Sequence, residues 1–158
     1  MPEKTNSLTG VAGEHYVCAE LARRRYIALL TPKNNPLFDV VATNQKGTHS
    51  VSIQVKTKAA DNKQGWKLGK DMEQKHGNPD LFIVLVDLKE DGVPDFYVYQ
   101  HDVLSERVAG LYRKYLAKPK RDGKPRKDVD FRWYDTRFLT PDDLARKNNL
   151  GIITEKMK

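Results

Sequence analysis

An α/β fold with a central mixed β-sheet of about five strands flanked by α-helices is predicted for this chain by three stretches of its sequence. Residues 8 to 25 carry apolar side chains at helical spacing. Residues 38 to 57 hold two runs rich in β-branched residues around a Gly-containing turn. Leu81 to Leu88 is a continuous apolar run of the kind that forms a strand buried on both faces.

The first helix rests on Glu14, Val17, Cys18 and Leu21, which recur at i, i+3, i+4 and i+7 and therefore share one face. That stripe turns Glu14 toward the core. A charge there is costly unless paired, so Lys56 or a metal ion is expected beside it. Arg23, Arg24 and Arg25 place positive charge in the last turn, where it complements the helix dipole. Gly10 and Gly13 each weaken a helix by roughly 1 kcal/mol relative to alanine, a cost that close packing of this turn on a neighbour would explain.

Tyr26 to Leu30 predicts a first strand, ended by the turn chemistry of Thr31-Pro32-Lys33-Asn34-Asn35-Pro36. Phe38 to Thr43 and Val51 to Thr57 predict a hairpin across Asn44-Gln45-Lys46-Gly47. Alternation sends Val51, Ile53 and Val55 to one face and Ser52, Gln54 and Lys56 to the other. Centring the turn between Lys46 and Gly47 pairs Asp39 with Gln54, whereas a slip of one residue would set Asp39 opposite Val55 and scatter the polar groups.

Residues 58 to 80 read as a loop anchored by Trp66 and Leu68, with a short helix near Asp71 to Gln74. Phe96 to Gln100 follows Glu90-Asp91-Gly92 as the hairpin partner of Leu81 to Leu88, and both strands are expected at the centre of the sheet. A second helix spans 102 to 117, with Asp102 as N-cap and Leu104, Val108, Leu111 and Tyr115 buried. A third starts at Leu139-Thr140-Pro141-Asp142-Asp143-Leu144, which combines an N-cap threonine, a proline at the first helical position, acids in the first turn and a hydrophobic staple. Trp133 and Tyr134 have rings that can stack on bases, but in a domain of this size they read as core.

The 158 residues suit a single domain, 1–158, with a core over about 8–100 and a helical, basic extension over about 101–158. Its 28 basic residues against 21 acidic ones give a net charge of +7, a field that attracts polyanions and makes nucleic acid the first candidate partner. The excess concentrates in residues 113 to 128, where eight basic residues face two acidic ones. Lys114, Lys118, Lys120, Arg121, Lys124, Arg126 and Lys127 are the candidate nucleic-acid contacts, with a solvated loop as the alternative.

No apolar run approaches the ~20 residues that cross a bilayer, and Met1-Pro2-Glu3-Lys4-Thr5-Asn6 leads into no apolar signal segment, so a cytoplasmic protein without a membrane partner is expected. Cys18 is the sole cysteine, which excludes an intrachain disulfide. His15, His49, His76 and His101 are too scattered for a zinc site. Gly65-Trp66-Lys67-Leu68-Gly69-Lys70 is one residue short of a phosphate-binding loop and lacks its Ser or Thr.

With Asp39 opposite Gln54, two side-chain oxygens come within reach of one hard cation, and Lys56 projects from the same face. Phosphodiester hydrolysis asks for a positioned water, neutralised charge at phosphorus and a stabilised leaving oxygen, which such a group can supply. These residues resemble the PD-(D/E)XK nuclease superfamily, whose members place a glutamate on the first core helix, an aspartate at the start of the second strand, and Glu-x-Lys or Gln-x-Lys on the third. Glu14, Asp39, Gln54 and Lys56 fall into those roles in order, and the resemblance covers roughly residues 8 to 100.

The resemblance implies a restriction-endonuclease-like core and a divalent-metal-dependent endonuclease. It also implies Mg2+ or Mn2+ on Asp39, Gln54 and the backbone carbonyl of Val55, with Glu14 binding through water and Lys56 orienting or acidifying the attacking water. Phe38 stands where the family has proline, and Gln54 replaces the commoner acid. DNA is the expected polymer, and a homodimer would supply two cuts. The alternatives are a non-catalytic nucleic-acid-binding module of the same fold and a small interaction or regulatory protein.

Overall fold

The computed structural model describes residues 2–33 and 35–158, with side chains from Ser7 onward. A mixed five-stranded sheet of order β1-β2-β3-β5-β6 forms the centre. It is built from β1 (Ile27–Leu30), β2 (Val40–Thr43), β3 (Ser50–Lys58), β5 (Leu81–Asp87) and β6 (Asp95–Gln100). Only β3 and β5 run parallel; the other neighbours are antiparallel. The predicted hairpin register holds, since Val40 pairs with Ile53 and Thr43 with Ser50.

Each face of the sheet has its own core. On one side α1 (Pro2–Arg23) and the C-terminal α4 (Gly151–Thr154) bury Val17, Leu21 and Ile153 against Ile53, Val55 and Val84. On the other, α2 (His101–Ala117) sets Leu104 and Val108 against Ile83, Leu85, Trp66 and Tyr134. Every apolar residue of β5 is therefore buried, as its unbroken hydrophobic sequence requires.

Several expectations are corrected. Residues 58 to 80 are not one loop: β4 (Gly65–Gly69) pairs antiparallel with β7 (Phe131–Asp135) in a second, two-stranded sheet. Trp66 and Leu68 are its buried anchors. Strand β6 lies at the edge and not at the centre; the residues after α3 (Pro141–Arg146) cover it, with Phe96 N–H donating to Asn148 Oδ1 at 2.8 Å. Covering in this way blunts an exposed edge.

Helix α1 stops before Arg24 and Arg25, because Arg25 takes a left-handed conformation at φ 71°. Tyr26 N–H then bonds the Leu21 carbonyl at 3.1 Å and Arg25 N–H the Ala22 carbonyl at 2.9 Å, the two bonds of a Schellman cap. Asp102 is not the cap of α2. Its carboxylate accepts from the backbone N–H groups of His76 and Gly77, both at 2.9 Å, and so ties the 76–77 turn to the helix start.

The predicted start of α3 is observed, with Thr140 and Asp143 forming a reciprocal capping box and Pro141 in the first turn; Leu144, at 55% exposure, makes no staple. Asp143 itself is fully buried. Its Oδ1 accepts from Tyr99 Oη at 2.7 Å and Tyr134 Oη at 2.9 Å. Its Oδ2 accepts from Thr140 N–H at 2.7 Å and lies 3.1 Å from Arg107. One carboxylate thus joins α2, α3, β6 and β7.

Candidate functional site

Gly13 decides where Glu14 sits. A Cβ at position 13 would lie 1.8 Å from Thr57 Oγ1, so only glycine lets α1 approach β3 this closely. Gly10 has no such neighbour. Glu14 follows at once, half-buried, and shares an open hollow of about 340 Å³ with Asp39, Thr31 and Lys33.

Asp39 occupies a bend one residue before β2. Its N–H donates to the Ile53 carbonyl and its carbonyl accepts from Thr31 N–H, both at 2.9 Å. Its carboxylate Oδ2 accepts from the N–H of Val55 at 2.7 Å. A strand N–H lies in the plane of its sheet, so the carboxylate sits at the sheet rim, where β2 ends and β3 runs on.

Gln54 and Lys56 line a neighbouring hollow of about 220 Å³ with Asp71, His76 and His101. Helix α1 packs on the face of β3 that carries Ile53 and Val55; strand parity therefore turns Gln54 and Lys56 away from it. The expected pairing of Glu14 with Lys56 is corrected on this ground: the basic side chains that act on Glu14 are His15 and Lys33. One connection walls both hollows, with Pro32, Lys33 and Asn35 on the first and Pro36 and Leu37 on the second. The structure thus joins Glu14 to Asp39 and Gln54 to Lys56, and sets the two pairs on either side of that connection.

Burial, and then the Asp39 carboxylate, push the Glu14 carboxyl above its ordinary value, with His15 and Lys33 opposing. A raised carboxyl pKa contributes stability that is full below the unfolded value and is lost as pH rises through the folded one. Glu14→Gln, neutral and of the same shape, should therefore melt a few degrees above the parent at pH 7 in metal-free buffer. The gap should close near pH 4. A parent that melts as high as the variant at pH 7 would show the carboxylate to be unstrained.

Among the described residues no three His, Cys, Asp or Glu side chains group as a metal cage. The predicted donor set contains only two acids, the remainder being an amide and a carbonyl oxygen, and magnesium keeps several waters in such sites. Asp39 Oδ1 and both oxygens of Glu14 have no hydrogen-bond or ion-pair partner among the described residues. Two adjacent, half-buried hard oxygen donors in this state fit a divalent cation.

Burial holds the His101 imidazole below the ordinary histidine value, against the opposing Asp102 carboxylate 3.2 Å away. Neither His101 nor His76 carried a periodicity or motif signal in the sequence. They reach Gln54 and Lys56 through the fold, because α2 starts where β6 ends.

The basic segment leads into β7 at Phe131, which pairs with Gly69, a residue lining the hollow of Gln54 and Lys56. Lys114, Lys118, Lys120, Arg121, Lys124 and Lys127 are exposed, and Arg126 is half-buried. Four side chains pin this segment to α2. Arg126 lies over Tyr115 at 4.5 Å, Tyr115 stacks on Tyr112 at 5.7 Å, and Arg132 covers Tyr112 at 3.4 Å. Tyr112 Oη also donates to Asp128 at 2.6 Å and accepts from Val129 N–H at 2.9 Å. Tyr115, expected in the core, is 45% exposed and serves this stack instead. Trp133, also expected in the core, is half-buried on an apolar cavity, while Tyr134 is fully buried.

No protein-family model and no curated protein matches the chain. Among solved structures it is similar to a bacterial homing endonuclease, I-Ssp6803I, at 16% identity and a TM-score of 0.56, over 96% of this chain and 93% of that one. This likeness is one of fold. No helix among the described residues is long and apolar enough to cross a membrane.

Proposed function

We propose that the chain is a divalent-metal-dependent endonuclease acting on nucleic acid, DNA in the first instance, of the Gln-x-Lys form of the PD-(D/E)XK superfamily. One observation carries the reading. The half-buried Glu14 and Asp39 share one hollow, with Asp39 Oδ1 and both Glu14 oxygens unpartnered among the described residues, across the 32–37 connection from the hollow of Gln54 and Lys56. A fold shared with a homing endonuclease supports it.

Asp39, Gln54 and the Val55 carbonyl would hold magnesium or manganese, with Glu14 joining through water; the ion supplies Lewis-acid stabilisation of charge developing on the phosphate. Asp39 is fixed for this by the Val55 N–H, which orients one oxygen and leaves the other outward. Lys56 orients the attacking water and favours its deprotonation. The water oxygen would bond to phosphorus and release its proton to solvent, the bond to the leaving sugar oxygen would break, and that oxygen would take up a proton from solvent. Glu14 borders the same space. The basic segment beside the second hollow draws the phosphate backbone in.

Nicking of DNA with added Mg2+ or Mn2+ is expected, falling at least about a thousandfold in Asp39→Ala and Lys56→Ala. Activity that survives both changes would sink the site. Salt-dependent DNA binding in chelator, with no cleavage of any duplex, single-stranded, branched or RNA substrate, would establish the non-catalytic module.

A further inference from the structure

A cavity of about 220 Å³ opens between α2 and the outer face of β7. Val108, Leu111, Tyr112 and Tyr115 border it from one stripe of α2, at i, i+3, i+4 and i+7. Alternate residues Phe131, Trp133 and Asp135 face it from β7. The proposed cleavage chemistry uses none of them. Arginines lie over Tyr112 and Tyr115, and Lys67 lies over Phe131 at 4.6 Å, so the lining rings without a stacked cation are half-buried Trp133 and Phe138, which is 39% exposed.

Polar groups stand at one end. Asp135 is 4% exposed, and its carboxylate grips Arg137 through Nε at 3.1 Å and Nη2 at 2.7 Å. That pairing fixes a guanidinium at the rim. The side-chain amide of Gln64, exposed beside it, has no intramolecular partner among the described residues. At the other end the cavity adjoins the basic segment through Val129.

We infer that this cavity binds one unstacked nucleobase of a single-stranded or locally unpaired strand. Flat apolar walls match the faces of a base, and an amide and a guanidinium match the donors and acceptors of its edge. The neighbouring lysines and arginines match the phosphates on either side of it. A volume of about 220 Å³ suits a single planar ring system, and its positive surroundings favour an anionic polymer over a second copy of this basic chain. The inference rests on the nucleic-acid part of the proposed function and not on catalysis.

Intrinsic fluorescence tests it, because Trp66 is buried and Trp133 is not. In chelator, two oligonucleotides of equal length and charge are compared, one of thymidines and one abasic at its central positions. The base-bearing strand should quench Trp133 and bind roughly tenfold or more tightly, the difference expected of one stacked base. Trp133→Ala should erase that difference while leaving salt-dependent binding; Trp133→Phe should keep it, and Phe138→Ala should reduce it with little effect on folding. Equal affinity for the two strands, or retention of the difference in folded Trp133→Ala, overturns the inference. So does a dimer of the parent that Trp133→Ala converts to monomer, since a second copy would then fill the cavity. Absence of metal-dependent cleavage would remove the enzyme reading and leave this result standing.

Discussion

Asp143→Ala is expected to cost about 3–5 kcal/mol of stability, the range for removing one partner of a buried charged network. The change strips an acceptor from Tyr99, Tyr134 and Thr140 and a counter-charge from Arg107 at once. Two buried phenols and a backbone N–H are then left unsatisfied in the core beneath the small sheet. Urea unfolding measures the loss through the midpoint, and a loss below about 1 kcal/mol would show that water or neighbouring groups replace the carboxylate.

The same residue sets an acid limit. Burial alone would raise the Asp143 carboxyl, but the hydrogen bonds from Thr140, Tyr99 and Tyr134 together hold it below the ordinary aspartate value. A depressed carboxyl pKa gives stability that is complete above the unfolded value of about 4 and is lost as pH falls through the folded one. Acidification should therefore destabilise the parent more than Asp143→Asn, a difference visible in paired melting curves from pH 6 to pH 2.

Gly13→Ala is the second large effect. The added methyl meets Thr57 Oγ1 at 1.8 Å and Thr57 Cβ at 2.9 Å, so α1 must move away from β3. Overpacking of this kind costs about 1–3 kcal/mol. Glu14 moves with the helix, and a displacement near 1 Å in a positioned group lowers a reaction rate by roughly a hundredfold. Under the proposed function, cleavage should therefore fall by roughly a hundredfold, about 2.7 kcal/mol in the barrier, beside the loss of stability. Thr57→Ala in the same chain removes the hydroxyl and should restore part of both; a Gly13→Ala variant equal to the parent in rate and urea midpoint would show that the close approach positions nothing.

The sequence made the sheet legible where local signals agreed. Alternation in residues 51–57 and a turn centred between Lys46 and Gly47 were enough to set the Val40–Ile53 register. Strand β4 escaped because it is five residues between two glycines, and its partner lies more than sixty positions away in β7. Non-local pairing leaves no periodic trace. Asp102 was misread for a related reason: local capping chemistry named it, but the turn at His76 and Gly77 competed for the same oxygens.

The candidate site shows the same division. Parity placed Gln54 and Lys56 together and Glu14 on the apolar stripe of α1, all from sequence. Which face of β3 receives α1 is a tertiary fact. Because that face carries Ile53 and Val55, Glu14 meets Asp39 at the rim and not Lys56. The His76 and His101 rings, 4.7 Å apart, line the hollow of Gln54 and Lys56 for reasons no single segment encodes.

The two stacked tyrosines capped by an arginine at each end, which pin residues 112–132, bear on how quickly a polyanion would be captured. A flexible basic tail must lose conformational freedom as it engages its target, at roughly 1–2 kcal/mol per residue fixed. Here much of that freedom is already lost on folding, and the lysines at the loop tip are held by a turn in which Gly123 N–H bonds the Lys120 carbonyl at 2.9 Å. Under the proposed function the charge would act as a fixed electrode beside the cleft, and a strand would be oriented by a standing field and not by a segment that must first settle around it.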